Sequence, residues 1–176
     1  MFSKKIQKAI VDIAKKHGED MYVIKAAIDA NEKQKKRMVE KIIREMNGVE
    51  GKHIAILGLS FKPDTDDMRD APSIDIIRGL VSSGAKIQAY CPEGMKEARW
   101  RLEDCEKVIT YCADEYSAVN EADAVVLVIE WHQFRGMNLE KVKKRMKGKF
   151  YFDLRNVYAK DQKVREIFNY YPIGQE

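Results

Sequence analysis

A chain of 176 residues has room for one ordinary domain plus an appendage, and 45% hydrophobic with 34% charged residues describes a soluble globular protein. No apolar run approaches the roughly 20 residues of a membrane span, and no signal-peptide pattern is present, so a cytoplasmic location is the expectation. Cys91, Cys105 and Cys112 form no CxxC and read as reduced thiols, while His17, His53 and His132 lie scattered without metal-ligand spacing.

The first predicted element is a helix over residues 3–16, with Ile6, Ile10, Ile13 and Ala14 at helical spacing and His17-Gly18 as its stop. A second helix is predicted over 21–46, roughly 39 Å long, carrying Ile24, Ala27, Ile28, Met38, Val39, Ile42, Ile43 and Met46. Its first neighbour is too short to cover that stripe, so a twofold copy of the same chain is the expected partner. The net charge of +4 sits in this region, where residues 1–50 hold 12 Lys+Arg against 8 Asp+Glu. Glu32 and Glu40 interleave the cations and no aromatics do, which reads as a solvated helix face and argues against nucleic acid.

From Gly51 the period changes, and a boundary is placed at 47–51, separating 1–48 from 49–176. Strands are predicted at 53–58, 86–90, 108–111, 124–129 and 150–154. Helices are predicted at 73–83, 93–102, 115–121, 139–146 and 161–168. This alternation predicts an α/β fold: a doubly wound parallel sheet of about five strands, order 3-2-1-4-5, preceded by a two-helix segment with one long helix.

In such a sheet, ligands lie beyond the carboxyl ends of the strands where the order reverses, between strands one and four. Strand one delivers Phe61 and Lys62, strand four delivers Glu130, Trp131 and His132, and strand five delivers Arg155 and Asn156. A ring with two cations suits a nucleotide diphosphate. Plainer readings stand beside this one. Phe61 and Trp131 serve equally as caps on the sheet, Lys62 as a surface lysine, Arg155 as a partner of Asp153, and Arg69 as counter-charge to Asp66, Asp67 and Asp70. The acidic loop lacks the glycine and glutamate of a calcium loop. Asp70 or Ser73 is the expected cap of the helix that follows, with Pro72 in its first turn.

The sixteen residues Gly58-Leu59-Ser60-Phe61-Lys62-Pro63-Asp64-Thr65-Asp66-Asp67-Met68-Arg69-Asp70-Ala71-Pro72-Ser73 resemble the signature of the UDP-binding domain of the UDP-glucose/GDP-mannose dehydrogenase family. Glu130–Arg135, Phe152-Asp153-Leu154-Arg155-Asn156 and Tyr171-Pro172-Ile173-Gly174 resemble later segments of that family, and Ala26–Lys41 its long dimer-forming central helix. One departure is Tyr90-Cys91-Pro92, where the family commonly has an aspartate in the middle. The resemblance implies a Rossmann-like fold and an NAD-dependent oxidation of a UDP-sugar, with UDP-glucose favoured. It implies that Phe61, Lys62 and Arg155 bind the sugar nucleotide, that Arg69 reaches NAD held by another domain, and that Lys4 is the catalytic-site lysine. Phe2-Ser3-Lys4-Lys5 resembles the segment just after the family's catalytic cysteine; on that register Met1 stands where the nucleophilic cysteine belongs, and the family's NAD-binding domain has no counterpart in these residues. The expectation is therefore the C-terminal portion of such an enzyme, incompetent alone, with a homodimer through helix 21–46 and a separate chain supplying the NAD domain as partners. A non-enzymatic binding or interaction module on the same fold is the alternative.

Overall fold

The computed structural model describes residues 4–174, with side chains from residue 6. Met1 and the side chain of Lys4 therefore lie outside the described residues. Two helices lead, α1 (Lys4–Lys16) and α2 (Tyr22–Glu45). Then follow β1 (His53–Leu57), α3 (Pro72–Ser82), β2 (Lys86–Tyr90), α4 (Met95–Arg101), a 3-10 turn (Glu103–Val108) and β3 (Ile109–Tyr111). The second half runs α5 (Glu115–Ala118), β4 (Ala124–Leu127), α6 (His132–Arg135), α7 (Leu139–Arg145), β5 (Phe150–Asp153), α8 (Gln162–Ile167) and β6 (Asn169–Pro172). No helix among the described residues is long and apolar enough to cross a membrane.

The sheet is wholly parallel, in the order β3-β2-β1-β4-β5-β6. It has six strands where five were expected. The added strand is Asn-Tyr-Tyr-Pro, a short amphipathic stretch that ends in a proline tolerable only at an edge, so its sequence does not announce it. The central strands are covered on both faces, and Ile54, Ala55, Ile56 and Leu57 are fully buried, as their unbroken apolar run predicts. Burying each of the larger ones is worth about 1.5–3 kcal/mol.

Helix α2 lies against α3, and its second half enters the core through Met38, Ile42 and Met46. The two helices meet closely at Gly79, where an added Cβ would stand 2.9 Å from both γ carbons of Val39. The stripe expected to await a partner is thus covered in this half by the same chain. What stays exposed is the other end: Tyr22 at 73%, Val23 at 82%, and Ile6 and Ile13 nearby on α1.

Candidate functional site

The β1 and β4 ends part at the switch in strand order, and the loop between β1 and α3 rises there. Gly58 makes the exit possible. It has φ +89, and a Cβ on it would lie 2.8 Å from Ile129 Cβ. The loop is tied by its own polar groups. Phe61 N–H donates to Asp67 O at 2.7 Å, Ser60 Oγ donates to Lys62 O at 2.9 Å, and Asp67 N–H donates to Thr65 Oγ1 at 3.1 Å. Met68, fully buried, pins it to the core.

Helix α3 starts differently from the expectation. Its cap is Ala71, with no side-chain bond, and Pro72 follows in the first turn. Ser73 is inside the helix, and its hydroxyl donates to Leu59 O, stitching the helix to the strand end. Asp70 is left-handed at φ 58.

Across the switch, β5 ends on Asp153, a fully buried carboxylate. Its Oδ1 accepts from Arg155 N–H at 3.0 Å, and its Oδ2 accepts from Tyr158 N–H at 2.9 Å and Tyr170 Oη at 2.7 Å. Asn156, at φ 56, holds the end of β6 with both halves of its amide: Oδ1 accepts from Ile173 N–H and Nδ2 donates to Ile173 O.

These elements enclose a cleft of about 450 Å³, within the range of small-molecule sites. Phe61, Lys62 and Asp70 line it from the β1 loop, Val128, Leu154, Arg155 and Ile173 from the strand ends, and Gln7, Asn31, Gln34 and Lys35 from the two leading helices. Phe61, Lys62 and Arg155, 94 residues apart in sequence at the extremes, thus share one cavity at the switch point. Arg155 pairs its side chain with Glu130 (Nε to Oε2, 2.9 Å), whereas Asp153 takes only its backbone N–H.

Lys35 is a third cation in the lining that sequence reasoning did not single out. Its charge is already engaged, by Asp75 at 2.5 Å and Glu32 at 3.1 Å. Burial works against its ammonium form, but the two carboxylates outweigh burial and raise its pKa. Lys62, which has no ion pair among the described residues, and the Nη groups of Arg155, whose Glu130 contact is on Nε, are the cationic donors left for a ligand.

Two residues singled out in the sequence, Trp131 and Arg69, do not line the cleft. Trp131 is only 6% exposed and belongs to the core, the cap-like role left open for it. Arg69 is turned outward, side chain 69% exposed, gripping Asp67 through Nε (3.0 Å) and Nη2 (2.8 Å). That grip holds the Asp67 carboxyl below its ordinary range. Cys91, in place of the family's usual aspartate, is buried with Sγ 3.7 Å from Ser60 Oγ, and its N–H donates to Met95 Sδ. No group of three or more potential metal ligands occurs among the described residues.

Comparison with known proteins places the chain among relatives of one family. Residues 55–160 match the model of the UDP-glucose/GDP-mannose dehydrogenase family, UDP binding domain. The chain is 39% identical to a UDP-glucose 6-dehydrogenase of Rhizobium meliloti, over 95% of this chain and 38% of the relative. It is 36% identical to the UDP-glucose 6-dehydrogenase TuaD of Bacillus subtilis, over 95% of this chain and 36% of the relative. Among solved structures, a UDP-glucose dehydrogenase from Pyrobaculum islandicum superposes with a TM-score of 0.78 at 28% identity, covering 94% of this chain and 35% of that one. The chain thus spans somewhat over a third of the length of the relatives it matches.

Proposed function

The chain belongs to the UDP-glucose/GDP-mannose dehydrogenase family, and from that premise we propose that it is the UDP-sugar-binding portion of an NAD-dependent UDP-glucose 6-dehydrogenase, which oxidises UDP-glucose to UDP-glucuronate. The observation that carries this reading is the meeting of Phe61, Lys62 and Arg155 on one cleft at the sheet's switch point. Phe61 offers an aromatic ring beside the apolar lining. Lys62 offers a point charge, and Arg155 a planar fork suited to phosphate oxygens. Residues 49–176 form the nucleotide-binding domain in this reading, and 1–48 the helical segment through which two copies associate. The exposed apolar side chains of Ile6, Ile13, Tyr22 and Val23 on the two leading helices support that association.

For NAD these residues supply one contact. Arg69 commits Nε and Nη2 to Asp67, and Nη1 has no acceptor among the described residues, so it is free to meet an anion arriving from outside the cleft. The β1–α3 connection is a long self-tied loop with no tight glycine turn of the dinucleotide-binding kind. The rest of the NAD site, and the thiol nucleophile that the reaction requires, belong to other residues than these 176. By themselves these residues bind the sugar nucleotide without turning it over, and Lys4 contributes only when the remainder of the active site is present.

Calorimetric titration with UDP and UDP-glucose tests the reading. Binding by the unaltered chain that weakens at least tenfold in Lys62→Ala and in Arg155→Ala is the expected result. Identical behaviour of all three sinks it. Reduction of NAD by the purified 176-residue chain would contradict the claim that it is incomplete.

A further inference from the structure

We infer that Glu130 is a positioning residue for Arg155, fixing which edge of the guanidinium faces the cleft; the inference rests on the UDP-binding reading above. Nε of Arg155 carries one hydrogen, which goes to Val128 O at 3.1 Å. Glu130 Oε2 lies 2.9 Å from the same nitrogen. That oxygen is buried and receives no aligned hydrogen bond among the described residues. The charge of Arg155 is therefore what offsets its desolvation, and the two side chains constrain each other.

Both acceptors sit on the Nε side. Neither Nη1 nor Nη2 has an acceptor among the described residues. A guanidinium anchored in this way presents its two terminal amino groups as a fork that takes two phosphate oxygens together. Glu130 does not line the cleft, so it acts on a diphosphate through Arg155. A carboxylate this close also works in the other direction, because its charge opposes an anionic ligand. Glu130→Gln therefore separates the two effects. Lost positioning weakens UDP binding, whereas relief of a mere counter-charge strengthens it.

The test is a double-mutant cycle read by UDP calorimetry on the full chain, with Glu130→Gln, Arg155→Ala and the pair. Glu130→Gln is expected to weaken UDP about tenfold. In the Arg155→Ala background the same change is expected to cost less than about twofold, because there is no fork left to orient. Unchanged or tighter binding by Glu130→Gln, with Arg155→Ala still weakened, overturns the inference and leaves the UDP reading standing. Equal weakening in both backgrounds also overturns it, since a general packing defect behaves that way. If Arg155→Ala binds as the unaltered chain does, the UDP reading fails and takes this inference with it.

Discussion

Replacing Asp153 by asparagine keeps the shape at the end of β5 and removes half of its accepting capacity. The carboxylate takes two backbone N–H donors, one on each oxygen, plus the Tyr170 hydroxyl. An amide in its place aims NH2 at one of those N–H groups in either orientation. If Nδ2 replaces Oδ2, it faces Tyr158 N–H; if it replaces Oδ1, it faces Arg155 N–H. The hydroxyl of Tyr170 can turn to accept, but a backbone N–H cannot. One charge-assisted bond, worth about 1.5–3 kcal/mol, is lost, and the other falls to neutral strength. Against this stands some relief from no longer burying a charge. The net expectation is a loss of about 3 kcal/mol. At an m-value of about 2 kcal/mol/M that moves the urea midpoint down by about 1.5 M, and it lowers Tm by about 9 °C. The same turn carries Arg155, so UDP affinity falls as well. A midpoint shift below about 0.3 M with unaltered UDP affinity refutes the role of Asp153 as the organiser of this rim.

The chain should lose stability as pH rises past about 10. Burial raises the pKa of Tyr151, Tyr158 and Tyr170, the last helped by its bond to Asp153. The unfolded chain then releases their protons near pH 10 while the folded chain keeps them, and each contributes a fall of about 1.4 kcal/mol per pH unit. Urea midpoints that stay flat between pH 9 and pH 11 would count against this. Gly79→Ala should destabilise by about 1–3 kcal/mol through the clash with Val39, and in a Val39→Ala background it should instead stabilise by about 1 kcal/mol, as alanine does in a free helix interior. Equal effects in both backgrounds would mean the helices are not in contact there. Arg69→Ala should leave UDP affinity within about twofold, because that guanidinium faces away from the cleft; a tenfold loss by calorimetry would put Arg69 in the UDP site.

The parts of this fold that were legible in the sequence are those where burial is one-sided in its demands. Ile54–Leu57 and Ala124–Leu127 sit with neighbours on both faces, and such positions admit only apolar residues, so the run itself identifies the strand. β6 is a half-exposed edge of four residues, where tyrosine and asparagine are as acceptable as in a turn. The 3-10 turn Glu103–Val108 buries only Cys105, too little to leave a period. At the site, Phe61, Lys62 and Arg155 could be found because strand ends at a switch point are predictable from topology. Lys35, Gln7 and Asn31 could not be, because their place in the cleft depends on how α1 and α2 fold back over the sheet. Glu130 was visible as a strand-end residue, but its pairing with Arg155 depends on side-chain paths that no spacing rule encodes. Ser73 shows the same limit: its position suggested a cap, and a tertiary acceptor, Leu59 O, took its hydroxyl instead.

The central claim is that the cleft between the β1 loop and the ends of β4 and β5 holds a uridine diphosphate. A crystal structure of this chain grown with UDP tests it most directly. The account predicts diphosphate density with oxygens about 2.8 Å from Lys62 Nζ and from the Nη pair of Arg155. UDP seated away from both residues, or in the cleft with its phosphates turned from them, would contradict it.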